Sequence, residues 1–197
     1  MKADCIISSL LQKNNGIIRT ADIGAAGLSR TTIMQLVKDG KLIRVAHGQY
    51  MLSDNLPDDL YIIQQRSKQI IYSHETALFL HNIAERTPSR HTLTIPSNSK
   101  LSPSLSDAVK IYYVKPDLHN MGICHIPSKM GHMVTVYNIE RTICDVLRSR
   151  NRIDSQTISS AMKEYATRSK KNWVLLREYA DVFRVTELLR QYLEVLV

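Results

Sequence analysis

The stretch TADIGAAGLSRTTIMQLVKDGKLIRVAHGQYML, residues 20–52, decides the fold of the first part of the chain. At its centre Ser29 precedes a helical pattern, and its hydroxyl suits the first unsatisfied N–H groups of a helix. Ile33, Leu36 and Val37 then recur at helical spacing, and Gly40 supplies the stop. Upstream, Thr20 is expected to cap a short helix that carries Asp22 in its first turn, where the helix dipole favours a carboxylate. Residues 25–28 (AAGL) make the tight turn between the two, so the pair reads as a helix-turn-helix. Downstream, residues 41–45 (KLIRV) alternate like a strand, 46–49 (AHGQ) turn, and 50–52 (YML) return. Working outward, residues 3–14 (ADCIISSLLQKN) place Ile6, Ile7, Leu10 and Leu11 on one stripe, predicting a first helix that ends at Asn14, Asn15 and Gly16. Ile17 and Ile18 form a short extended link. Three helices followed by a hairpin, in that order, give a winged helix-turn-helix over residues 1–55.

In that layout the third helix enters the major groove of DNA. Its outward residues here are Arg30, Thr31, Thr32, Gln35 and Lys38, after the capping Ser29. Arginine can bond guanine bidentately, glutamine can bond adenine, and threonine can meet a thymine methyl or a phosphate. Lys38, at the helix end, is placed to reach a backbone phosphate. On the wing, Lys41, Arg44, His47 and Gln49 are candidates for the backbone or the minor groove.

Composition bounds the rest. The 197 residues allow one ordinary domain or two small ones, and 44% hydrophobic with 22% charged residues is the make-up of a folded chain. No apolar stretch approaches the ~20 residues that span a bilayer, and the first residues lack a secretory core, so a cytoplasmic location without membrane association is expected. Cys5, Cys124 and Cys144 form no CxxC pair and are expected to be reduced core residues. Lysine and arginine number 26 against 18 acidic residues, a net charge of +8. The excess is spread: 7 basic and 4 acidic residues in 1–55, 8 and 6 in 56–135, and 11 and 8 in 136–197. Such a spread suits an extended phosphate-tracking surface more than a single basic tail.

A boundary is expected at residues 53–59 (SDNLPDD), where Pro57 interrupts the strand pattern, leaving 56–197 as a second domain. Residues 60–71 suggest a helix leading into a strand, and 73–81 a helix capped by Ser73. His74 and His81 are seven apart and two turns removed, which is not the HExxH zinc spacing. Strands are expected at 92–95, 109–114 and 133–136. His119, Cys124, His125 and His132 match no zinc pattern and are read as structural, so neither a metal nor a cofactor is expected. Residues 138–148 (NIERTICDVLR) predict an amphipathic helix capped by Asn138, with Glu140, Arg141 and Asp145 as solvated pairs. Two helices follow, at 154–168 and 172–194, with Tyr165, Trp173, Leu176, Tyr179, Leu188 and Leu189 as core candidates. The fold class is therefore α+β: a winged helix-turn-helix, then a mixed α/β domain with a helical tail. Arg148, Arg150, Arg152, Arg168, Lys170 and Lys171 are candidate auxiliary contacts to nucleic acid.

Four segments, in this order, resemble the AbiEi family of antitoxins from type IV toxin-antitoxin systems: RVAHGQYML (44–52), IYSHETALFLHNI (71–83), LTIP (93–96) and VYNIERTICDVLR (136–148). The resemblance implies a DNA-binding autorepressor acting on inverted repeats in its own promoter, and a C-terminal domain that counteracts a nucleotidyltransferase toxin without a stable complex. It also implies a role in abortive infection and phage resistance. The family offers no catalytic residues to carry over. A protein that is monomeric in solution and binds DNA as two copies is expected, because helix 3 lacks a long basic run. Two other readings stay open: a winged-helix protein with a nucleic-acid-processing enzyme domain, and a direct toxin-binding inhibitor.

Overall fold

The computed structural model describes residues 2–14, 16–84 and 86–196, so Asn15, expected at the end of the first helix, lies outside the described residues. The chain divides into two compact units. One reaches to Arg66 and takes in Lys129–His132; the other comprises Ser67–Ser128 and the residues from Met133 onward.

The first unit runs α1 (Lys2–Lys13), β1 (Ile17–Arg19), α2 (Thr20–Ala25), α3 (Arg30–Lys38), β2 (Leu42–Ala46), β3 (Gln49–Leu52) and α4 (Asp59–Gln64). Its strands form an antiparallel sheet in the order β1-β3-β2. The apolar stripes of α1, α2 and α3 meet the sheet in one core of Ile7, Leu11, Ile18, Ile23, Ile33, Leu36 and Leu42. Ser29 caps α3 as expected, its Oγ accepting from the Thr32 N–H at 3.2 Å. The start of α2 differs by one residue. Arg19 occupies the capping position, the Asp22 carboxylate accepts from the Arg19 N–H at 3.0 Å, and Thr20 Oγ1 donates instead to the Gly48 carbonyl.

Helix α4 corrects the boundary expected at 55/56. Ile62 packs on Ile17 and Met51, apolar side chains of β1 and β3 that lie outside the main core, and burying them brings α4 into the first unit. Asp58 caps the helix through the Tyr61 N–H and also receives His132 Nδ1 at 2.7 Å.

The second unit contains β4 (Ile71–Tyr72), α5 (His74–Leu80), β5 (Thr92–Pro96), α6 (Pro103–Ser106), β6 (Lys110–Val114), α7 (Pro116–His119), β7 (Ile123–Pro127) and β8 (Met133–Tyr137). After them come α8 (Ile139–Arg148), a 3-10 turn at Arg150–Arg152, α9 (Ser155–Thr167), α10 (Trp173–Phe183) and α11 (Thr186–Leu196). The sheet order is β6-β5-β4-β8-β7, with β5–β6 and β4–β8 parallel and β4–β5 and β7–β8 antiparallel. Leu78 of α5 joins Ile143, Val146 and Leu147 of α8, and Met162, Leu176 and Phe183 of the helical tail, in one core.

Several expectations change here. Helix α8 is buried from Glu140 to Leu147, so its charged residues are interior rather than solvated. Arg141 is fully buried; its Nε donates to Asp145 at 3.0 Å, its Nη1 donates to the carbonyls of Leu118 and Met121, and its guanidinium lies 4.1 Å from the Tyr137 ring and 4.0 Å from the Phe183 ring. Glu140 Oε1 accepts from the Tyr165 hydroxyl and the Asn172 N–H. The helix expected over 172–194 is two helices, broken where Arg184 turns left-handed (φ 57°) and Val185 N–H closes on the Ala180 carbonyl. Trp173 is 41% exposed rather than core. Of the cysteines only Cys144 is a core residue, its thiol pushed up to about 12 by burial; Cys5 is exposed and Cys124 half-buried. Among the described residues no helix is long and apolar enough to cross a membrane.

Candidate nucleic-acid interface

Helix α3 is held by Ile33 and Leu36, buried on one side, which turns the opposite side to solvent. Arg30, Thr31, Gln35 and Lys38 are all exposed there, as the helical spacing predicted. Arg30, Thr31 and Lys38 make no side-chain hydrogen bond or ion pair among the described residues, so their donors are free for a ligand. Gln35 Nε2 donates to Asp39 Oδ1 at 2.8 Å, an exposed contact one helical turn away that a base edge would have to displace. Ser29 and Thr32 face each other, their hydroxyl oxygens 3.0 Å apart, at the N-terminal end where backbone N–H groups favour a phosphate.

One residue was missed. Met34 lies a turn beyond Arg30 and a turn before Lys38, and it is 72% exposed. An apolar side chain between two cations on the outer stripe is the signal that could have found it, and its methyl and sulfur can meet a thymine methyl.

The wing is built by the β2–β3 hairpin. A register shift between Arg44 and Ala46 bends β2, and Gly48 turns with φ 69° beside Thr20. A Cβ on Gly48 would come within 3.2 Å of Thr20 Oγ1, so this turn needs glycine both for its backbone and for the close approach of α2. Arg44 folds over the tip, Nε donating to the Ala46 carbonyl at 3.3 Å and Nη2 lying 3.0 Å from His47 Nδ1. Lys41, Arg44 and His47 are exposed. Gln49 is a correction: it is 3% exposed, with Nε2 donating to the Ile62 carbonyl at 3.4 Å, so its amide serves the packing of α4 and does not reach the wing surface.

The auxiliary cations of the second unit fall into two groups. Arg148, Arg150, Arg152 and Lys170 are exposed. Arg168 and Lys171 are half-buried and already engaged, Arg168 Nη1 with the His81 carbonyl at 2.8 Å and Lys171 Nζ with the Ala166 carbonyl, so Arg168 ties the helical tail to the end of α5 and Lys171 closes a contact within the tail. The histidines are dispersed: His119 Nε2 meets the Gln69 carbonyl, His81 Nε2 the Tyr137 carbonyl, and His132 the Asp58 carboxylate. Among the described residues no three His, Cys, Asp or Glu side chains come together as metal ligands would.

Comparison with known proteins bears on this domain most directly. The family model described as "Transcriptional regulator, AbiEi antitoxin" matches residues 6–53. No curated protein matches the chain. The crystal structure of the RV2827C protein from Mycobacterium tuberculosis superposes with a TM-score of 0.57 at 12% identity, covering 98% of this chain and 80% of that one, so the two share a fold across both units. The matched residues are the core of α1, the turn into α3 and the whole wing described above, so over this stretch the chain is similar to the AbiEi antitoxin transcriptional regulators.

Proposed function

We propose that the protein is a DNA-binding autorepressor and antitoxin that recognises inverted repeats in its own promoter, while its second unit counteracts a nucleotidyltransferase toxin without forming a stable complex with it. The observation that carries the reading is the outer stripe of α3, Arg30, Thr31, Met34, Gln35 and Lys38, presented to solvent on a domain of the regulator family. A single winged helix with two free cations on its reading face makes few phosphate contacts, so two monomers on the two halves of a repeat supply the affinity that one lacks. Arg30 is the expected guanine reader, Gln35 an adenine reader once it leaves Asp39, and Lys38, Lys41 and Arg44 the phosphate contacts.

The test is fluorescence anisotropy with the duplex upstream of the gene and a scrambled duplex, each at two salt concentrations. Tighter binding to the native duplex, with a log-log slope of about −0.9 for each phosphate neutralised, supports the reading. Equal and weak binding to both would remove it and leave the winged helix as a protein-interaction module.

A further inference from the structure

A cavity of about 350 Å³ opens in the second unit beside β6 and the C-terminal end of α8. Its inner wall is His74, only 3% exposed, which starts α5 with a left-handed backbone (φ 48°), a conformation that persists in a non-glycine residue only where the surroundings hold it. The surroundings here are specific. The imidazole stacks on the Tyr112 ring at 3.4 Å with 12° between the planes, Nδ1 lies 2.9 Å from Ser73 Oγ, and Nε2 lies 3.0 Å from Ser149 Oγ.

The hydrogen-bond chain fixes which groups face the cavity as donors. Thr94 Oγ1 donates to Ser73 Oγ at 2.8 Å, which leaves the Ser73 hydrogen for His74 Nδ1. A neutral His74 then carries its proton on Nε2 and donates it to Ser149 Oγ. Burial first, and then Arg141, Lys110, Arg152 and Arg148, hold the imidazole well below its usual pKa, so it stays neutral. Ser149, half-buried at the end of α8, thus accepts from within and keeps its own hydroxyl hydrogen for the cavity. The same polarity disfavours Ser149 as a nucleophile, because Nε2 is a donor and cannot take its proton.

Charge points the same way. Lys110 is paired with Glu75 at 2.8 Å, and Arg141 with Asp145 at 3.0 Å. The Asp145 carboxylate also lines the cavity, but it is buried and bound to Arg141. Arg148 and Arg152 also line the cavity and make no salt bridge among the described residues; Arg148 lies within electrostatic reach of Asp145, with its guanidinium carbon 5.9 Å from the Phe183 ring. Arg152 is oriented by the Ile111 carbonyl and by the Tyr112 ring, 4.3 Å from its guanidinium carbon. Two arginines outside any salt bridge and a hydroxyl donor on the lining of one concave space have the chemistry that an anion calls for.

We propose that this cavity binds a phosphoryl group through Arg148, Arg152 and the Ser149 hydroxyl, with Tyr113, 52% exposed on the same wall, available to stack an attached base. Its volume is near the lower end of the roughly 300–1,000 Å³ of small-molecule sites, larger than a bare phosphate needs and suited to a mononucleotide. The site lies wholly in the second unit and does not depend on DNA recognition by α3.

The experiment is calorimetric titration of the full chain, in buffer free of phosphate and sulfate, with pyrophosphate, with ribonucleoside monophosphates and with a single-stranded oligonucleotide. Wild type, Arg148→Gln, Arg152→Gln and Ser149→Ala are compared, each with a thermal melt to verify folding. Binding that weakens about tenfold with each lost charged contact is the expected result. If mononucleotides or pyrophosphate bind in this way, the phosphate belongs to a small ligand; if only the oligonucleotide does, it belongs to a polymer backbone, and the phosphoryl site stands in either case. Absence of binding by all three probes at millimolar concentration, or binding unchanged in Arg148→Gln, overturns the proposal. Arg148 makes no hydrogen bond among the described residues, so its variant keeps the test valid even if the other substitutions disturb the fold.

Discussion

Helices α3 and α8 begin alike in sequence and lie in opposite surroundings. Each starts after a polar cap whose side chain accepts from the third N–H, Ser29 for α3 and Asn138 for α8, and each has an arginine in its first turn. In α3 that arginine, Arg30, is exposed and unpartnered, and the apolar residues occupy only one side. In α8 the arginine is Arg141, fully buried, with Asp145, two backbone carbonyls and two aromatic rings around it. The difference comes from what lies outside each helix. The three-stranded sheet and α1 cover one side of α3, whereas α8 lies in the interior of its unit, with α5, α9 and α10 among its neighbours. A polar helical face is therefore a ligand surface only where the fold leaves it wet; enclosed, the same residues become structural.

The comparison is broken most severely at Arg141. Arg141→Ala strands Asp145 as a buried, uncompensated charge and leaves two carbonyls without their donor, and removing one partner of a buried pair costs about 3–5 kcal/mol. Urea denaturation should show that loss, while Arg30→Ala should leave the midpoint within error. Equal effects of the two substitutions would mean that α8 is solvated after all.

Arg30 and Gln35 carry the converse expectation. Each should cost about 1–3 kcal/mol of discrimination between the native and scrambled duplex when replaced by alanine, with no change in melting temperature. Met34→Ala should reduce specific affinity by less, and its effect should be confined to sites with thymine at the contacted position. Loss of binding accompanied by a lowered melting temperature would place these residues in the fold rather than at the interface.

How much of this was legible in the sequence follows from the same contrast. The winged helix was readable almost element by element, because its signals are local: Ser29 before a helical repeat, Gly40 after it, and the turn at residues 46–49. The outward stripe of α3 followed from helical spacing alone. Gln49 was misplaced because a strand residue's face depends on what covers the sheet, and α4 returns to cover it from beyond the apparent linker. The interior charges of α8 were misread because Glu140, Arg141 and Asp145 have the i, i+4 spacing of surface pairs; their partners Leu118, Met121, Tyr165 and Asn172 are distant in sequence. The cavity beside His74 is lined from His74, Thr94, residues 112–114, Asp145 and positions between 148 and 152, which no single window contains.

His74 sharpens the comparison through pH. Its folded pKa is depressed, first by burial and then by Arg141, Lys110, Arg152 and Arg148, so below about 6.5 the unfolded chain binds a proton that the folded one refuses. Stability should be fully present above that value and fall as the pH drops through it, by at most ~1.4 kcal/mol for each pH unit. Buried Asp145 acts with the opposite sign: burial raises its pKa despite Arg141 and Arg148, so it draws stability down as pH rises above 3.8. Urea midpoints at pH 7.5 and 5.5 should therefore differ in the wild type, and less in His74→Asn, a residue that tolerates the left-handed backbone, the remainder coming from His81, whose pKa burial also lowers. A pH dependence unchanged in that variant would assign the proton to another group.

The smallest effect separates two serines that the sequence reads identically. Ser29 and Ser73 each precede a helix in extended backbone, but only Ser29 accepts a capping hydrogen bond; Ser73 turns its hydroxyl to Thr94 and His74. Ser29→Ala should cost ~1 kcal/mol, the usual value of a lost cap, and Ser29→Asp should restore it because a carboxylate caps as well as a hydroxyl does. At Ser73 the same aspartate should not rescue alanine, since the lost interactions are the Thr94 and His74 contacts in a buried site where a new charge has no partner. Rescue at both positions would reduce Ser73 to an ordinary cap. Rescue only at Ser29 assigns the Ser73 hydroxyl to the chain through His74 to Ser149, and so ties the left-handed start of α5 to the cavity rather than to the helix.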